Sequence, residues 1–154
     1  MEPLSVAVHA LVSIGKVRAN QTVAVFGAGM WSTLLLSAVT KFGGILPGPV
    51  GLLTLAVAKA FGAKRVISID IIQSRLDFAK KYAATDIYLP SKKAQDETNI
   101  AYSHRNATEM KTKLGLEDRG DKGVDIVVDA SGAEVSIQTS IYLAKDGGKL
   151  LVNN

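Results

Sequence analysis

Thr22-Val23-Ala24-Val25-Phe26-Gly27-Ala28-Gly29, taken up again downstream by Pro49-Val50-Gly51, decides how the rest of this chain is read. Residues 22 to 26 run without a charged or turn-forming break, the pattern of a strand buried on both faces. A glycine-x-glycine turn straight after such a strand opens a phosphate-binding loop. The first glycine permits the tight strand-to-helix turn, the second lets backbone approach a pyrophosphate, and a third, three positions on, lets helix pack closely on strand. Position 32, where the third glycine belongs, is Ser32. Removing residues 30 to 48 joins Gly27-Ala28-Gly29 to Pro49-Val50-Gly51 and restores an unbroken G-x-G-x-x-G.

The second strand-like run, Arg65-Val66-Ile67-Ser68-Ile69, ends in Asp70, nineteen residues after Gly51. An acidic residue about twenty positions after the loop is where a carboxylate accepts hydrogen bonds from the adenosine ribose of a dinucleotide. A carboxylate there also repels a 2′-phosphate, which favours NAD over NADP. The plainer alternative is that Asp70 only caps the following helix.

Periodicity supplies the remaining map. Helices are expected over 2–14, 50–61, 72–82, within about 105–114, and over 134–144. Strands are expected over 22–26, 65–69, near 86–89, over 124–129 and over 149–152, with a polar segment before the fourth helix. Strands alternating with helices predict an α/β fold, a parallel sheet covered on both faces, with ligand beyond the C-terminal strand ends where the order reverses.

Composition narrows the function classes. At 154 residues, 47% apolar and 21% charged, the chain has the size of one α/β domain. The absence of cysteine excludes disulfides and thiolate zinc sites, and His9 and His104 are too far apart in sequence to form a metal site alone. The net charge of +4 is spread among acids rather than gathered in a stripe, which reads as solvated helix faces and argues against a nucleic-acid partner. Residues 30 to 62 are strongly apolar, but Lys41, Gly43-Gly44, Pro47 and Pro49 cut them into pieces too short to span a bilayer. No membrane partner is expected. With no signal-peptide pattern either, the chain reads as cytoplasmic.

Four separated stretches carry a resemblance: Glu2-Pro3-Leu4-Ser5-Val6-Ala7-Val8-His9; the split glycine motif; Asp70 with Ser74-Arg75-Leu76-Asp77-Phe78-Ala79-Lys80; and Asp129-Ala130-Ser131-Gly132-Ala133-Glu134. Together they resemble the zinc-dependent medium-chain polyol dehydrogenases, most of all the xylitol dehydrogenase (D-xylulose reductase) branch, with sorbitol and arabinitol dehydrogenases nearby. The resemblance implies a Rossmann-type doubly wound sheet, incomplete at its C-terminal edge, and the cofactor-binding part of an enzyme passing hydride between a polyol and NAD. Its small-molecule partner would be a polyol or the matching ketose. It further implies that Gly27, Gly29, Pro49, Val50 and Gly51 line the pyrophosphate, that Asp70 holds the adenosine ribose with Arg75 beside that ribose and the adenine, and that Ala130, Ser131 and Gly132 pass close to the cofactor. Glu2 matches an acidic position near the catalytic zinc. The zinc ligands themselves, and the segments that build the family's homo-oligomer interface, match nothing here, so no metal ligand and no turnover by this chain alone are expected. Each assignment has a plainer counterpart: Arg75 as a solvated helix residue, Ser131-Gly132 as a simple strand end.

The interval 30–48 has two readings. It is either a true insertion, with residues 34–42 forming a short helix, or an unspliced intron carried into the sequence. Met30 and Trp31 have one codon each, so a Gly29 codon ending in T places an intron-donor sequence there, and Pro47-Gly48 accommodates an acceptor. Chain entropy does not forbid the insertion, since an eightfold longer loop costs only about 1.8 kcal/mol. Two other functions fit parts of the pattern: a methyltransferase binding the ribose of S-adenosylmethionine through Asp70, and a non-catalytic nucleotide-binding module.

Overall fold

A computed structural model describes residues 3–27 and 49–152. Glu2, Ala28, Gly29 and the interval 30–48 lie outside the described residues, and so do the expectations attached to them.

The apolar runs form five parallel strands. These are β1 (Thr22–Phe26), β2 (Arg65–Ile69), β3 (Asp86–Tyr88), β4 (Val124–Asp129) and β5 (Ala144–Val152), in the spatial order β3-β2-β1-β4-β5. Helix α2 (Pro49–Ala60) precedes β2, α3 (Gln73–Tyr82) precedes β3, α4 (Asn99–Leu114) precedes β4, and α5 (Glu134–Leu143) precedes β5. This is the doubly wound order expected from the strand–helix alternation. All five β1 residues are buried, as its unbroken apolar run requires.

The pleat divides the core in two. Val23, Val25, Val66, Ile126 and Val128 face a layer that includes Ala7 and Leu11 from the N-terminal helix, Leu55 and Ala58 from α2, and Ala79 from α3. Ala24, Phe26, Ile67, Ile69 and Val127 face the other way, onto Met110 of α4 and Leu143 of α5. At the outer strand, Arg65 of β2 donates twice to Asp86 of β3, at 3.2 and 3.1 Å. Burial alone would raise the Asp86 pKa, but hydrogen bonds from Arg65 and Thr85 outweigh it and hold the carboxyl below its ordinary value.

Three boundaries differ from the sequence pattern. The N-terminal helix is α-helical only as α1 (Pro3–Val8); His9–Ile14 continues in the wider π winding, and the Gly15 N–H closes on the Ala10 carbonyl at 2.8 Å. Helix α4 begins at Asn99 rather than near 105, because the Thr98 hydroxyl accepts from the Ala101 N–H at 3.2 Å and caps the first turn. Strand β5 starts at Ala144, directly after α5, pairs there with Val124, and resumes ladder pairing with Lys149 opposite Ile126. Between them lies an irregularity in which Gly147 takes φ +75°. Its polar residues hid the early part of the strand from the apolar pattern.

Candidate functional site

The chain order reverses at β1, whose neighbours are β2 on one side and β4 on the other. The C-terminal ends of these three strands build the floor of the site. Gly27 continues the β1 ladder, its N–H donating to the Ile69 carbonyl at 2.9 Å, and then turns with φ +83°. A Cβ placed on Gly27 would lie 3.1 Å from the Ser131 nitrogen and 3.2 Å from the Ala130 carbonyl carbon. Glycine is therefore required twice over, by its left-handed backbone and by the β4 turn pressed against it.

That turn is held by Asp129, which is fully buried. One carboxylate oxygen accepts from the Ser131 N–H at 3.2 Å and the Ser131 hydroxyl at 2.7 Å; the other accepts from the Gly132 N–H at 3.1 Å. These three bonds satisfy a carboxylate that would otherwise be costly to bury. Gly132 adopts φ +67° within the turn.

At the end of β2, Asp70 is only 6% exposed. One of its oxygens accepts from the Ile72 N–H at 2.9 Å, and the other lies 3.8 Å from the Arg75 guanidinium. The plainer expectation, that Asp70 only caps the following helix, differs from the structure: the cap position is Ile72, which carries no side-chain cap, and Asp70 instead holds the turn before it. Ile71, beside it, is 79% exposed and lines the cleft.

The opposite wall comes from α4 and the segment before it. Tyr102, Ser103, Asn106, Ala107 and Met110 form the buried stripe of α4. Arg105 locks the preceding segment onto the helix, donating to Glu97 through two nitrogens at 2.8 Å, to Glu109 at 2.8 Å and to the Lys92 carbonyl at 3.3 Å. The Arg105 hydrogen bonds pull the Glu97 pKa down to about 2. A hydrogen bond from Ser91, then those from Arg105, lower that of Glu109. Tyr102 donates to the Ser91 carbonyl at 3.0 Å, fixing Pro90 next to it.

The result is an open cleft of about 300 Å³ whose lining is mostly apolar with a few polar groups, the usual character of a small-molecule site. Of the residues singled out from sequence, Gly27, Asp70, Arg75 and Ser131 meet in it. Ala130 packs behind Gly27, and Gly132 shapes the turn without lining the cleft. Pro49, Val50 and Gly51 open α2, as expected for a loop-to-helix junction, but are not among the lining residues. Pro90, Tyr102 and Asn106 line it unforeseen: Pro90 and Tyr102 lie in what read as a polar segment, and Asn106 at the start of the expected helix gave no sign of which way that helix faces. Tyr102 and Asn106 stand four apart, a helical spacing that was visible once α4 is started at Thr98.

The described residues do not suit a zinc ion. Among them no three His, Cys, Asp or Glu side chains come together; His9 is exposed, and His104 packs edge-on against Tyr142 with ring centroids 5.2 Å apart. No described helix is long and apolar enough to cross a membrane.

Known proteins similar to this chain include a D-xylulose reductase and alcohol dehydrogenases. The chain is 44% identical over 148 residues to D-xylulose reductase A of Aspergillus oryzae, a match covering 96% of this chain and 32% of that protein. It thus spans about a third of the length of the curated relatives it matches. Among solved structures, benzyl alcohol dehydrogenase from Acinetobacter calcoaceticus superposes with a TM-score of 0.66 at 24% identity, covering 98% of this chain and 32% of that one. A Sinorhizobium meliloti protein assigned as a zinc-binding dehydrogenase and solved with NADP gives a TM-score of 0.64 at 24% identity, covering 98% and 34%. These structures share the fold. The zinc-binding dehydrogenase pattern itself matches residues 49–153, from the first residue of α2 through the whole of β5, and the chain belongs to that family.

Proposed function

We propose that this chain is the NAD-binding part of an oxidoreductase that passes hydride between a polyol such as xylitol or sorbitol and NAD. The observation that carries the reading is the meeting of Gly27, Asp70 and the Asp129-held turn at the reversal of strand order, where open α/β sheets bind ligands. When bound, NAD supplies the hydride-accepting nicotinamide. The residues present bind and orient it. Gly27 makes the left-handed turn out of β1 that leads the backbone toward the pyrophosphate, Asp70 accepts from the adenosine ribose hydroxyls, and exposed Ile71 offers the purine an apolar face. Arg75, 3.8 Å from Asp70, steadies that carboxylate. The polyol substrate is supported by the D-xylulose reductase likeness, and a chain without cysteine is compatible with a cytosolic setting. The methyltransferase reading loses its ground, since the family matched is a dehydrogenase family.

Asp70 gives the reading its sharpest test, because NAD and NADP differ only at the ribose it faces. Titration followed by thermal shift is expected to show NADH binding at least tenfold more tightly than NADPH, and Asp70→Ala closing most of that gap. Equal affinity of the unaltered chain for both would remove the assignment of Asp70. We further propose that residues 30–48 interrupt the phosphate loop. The family pattern begins at Pro49, which supports this. A version lacking 30–48 is then expected to bind NADH more tightly than the intact chain, and equal affinities would count against it. Neither version is expected to oxidise xylitol by itself.

A further inference from the structure

Asn106 projects from the buried stripe of α4 and lines the cleft, yet it is 2% exposed and its Oδ1 has no hydrogen-bond partner. A buried carboxamide oxygen without a donor is costly, and native proteins keep few of them. A leucine would fill such a helix position at no polar cost. The surroundings indicate what completes the group. Pro90, Tyr102 and Ile71 supply apolar surface, while Asp70 sits at the same cleft as acceptor for sugar hydroxyls. A ligand with flat apolar faces and a hydrogen-bonding edge fits that environment. The carboxamide presents an acceptor and an NH₂ donor side by side, complementary to the amino group and adjacent ring nitrogen of adenine.

We propose that Asn106 reads the edge of the purine base and makes this cleft selective for the 6-amino group of adenine. The assignment rests on the dinucleotide reading of the cleft and adds to it a residue that selects the base. Asn106 acts here as a binding residue with no part in hydride transfer.

The test crosses two ligands with two proteins. The ligands are NADH and an NADH analogue whose purine carries hydrogen in place of the 6-amino group; the proteins are the full chain and Asn106→Leu. The unaltered chain is expected to prefer NADH by about tenfold, the factor equivalent to one hydrogen bond of about 1.4 kcal/mol. In Asn106→Leu the preference should vanish: NADH loses about tenfold more affinity than the analogue, which keeps the ring nitrogen but has no amino group to lose. The same substitution should raise the melting temperature of the ligand-free protein, because it removes the orphan oxygen. Equal losses for both ligands, or no loss for either, would overturn the role of Asn106 while leaving the dinucleotide site standing. Failure of both the unaltered chain and the version lacking residues 30–48 to bind either ligand would overturn both readings. Should Asn106→Leu not fold, Asn106→Asp serves instead: it keeps an acceptor and should retain a preference for the 6-amino ligand, and a loss of that preference would refute the proposal.

Discussion

The two walls of the cleft are built in different ways. On the sheet side, three strand ends converge and the backbone itself forms the surface, with Gly27 against the Ser131 nitrogen and Asp129 gathering the N–H groups of Ser131 and Gly132. On the helix side, side chains form the surface, and their placement depends on the Arg105 clamp with Glu97 and Glu109. A wall made of backbone tolerates almost no change in residue type at its turns. A wall made of side chains tolerates more, because each contributes separately.

Breaking the backbone wall should therefore have the largest effect. Gly27→Val is expected to cost about 4 kcal/mol in urea unfolding, from the left-handed backbone penalty and overpacking against the β4 turn together. NADH binding should disappear with it. Asp129→Ala comes next, at about 2 kcal/mol, since it removes the three charge-assisted hydrogen bonds that tie the exposed Ser131–Gly132 turn to the buried end of β4. A change under 1 kcal/mol in either variant would mean that the turns are not the rigid element of the site.

The helix wall should answer more gently and with a pH signature. The Glu97 carboxyl is held at about 2 against an ordinary value of 4.5, so its contribution is complete above pH 4.5 and is lost as pH falls through 2. Arg105→Met removes the partner. The stability difference between this variant and the unaltered chain should then shrink between pH 4.5 and 2, in acid titrations followed by circular dichroism. A constant difference across that range would show that Arg105 acts by packing over the Tyr102 ring, 5.5 Å from its centroid, rather than by charge.

The contrast also explains what could be read in advance. The sheet side was legible because turns impose residue types at fixed spacing, a glycine after β1 and an acid at the end of β2, while the Asp-Ala-Ser-Gly stretch after β4 was carried by the family resemblance. Each of these constraints is local. The helix side was not, because Asn106 and Tyr102 acquire meaning only when α4 lies against α5 and the cleft, and a mixed run such as Asn99 to Arg105 is equally compatible with a loop. The early part of β5 escaped for a related reason. Its pairing with Val124 is set by the position of β4, while its own Lys145-Asp146-Gly147-Gly148 sequence reads as a turn.

The Lys149 ammonium of β5 donates to the Gly15 carbonyl at 2.8 Å, across 134 positions of chain, and Leu151 lies against the same glycine. The carbonyl belongs to the end of the N-terminal helix, where backbone oxygens lack partners and a cation is favoured. During synthesis, which proceeds from the N-terminus, Gly15 leaves the ribosome long before Lys149. The first helix can settle on the sheet early, but its last turn is secured only when the final strand arrives. Two segments 134 positions apart thus complete each other's packing.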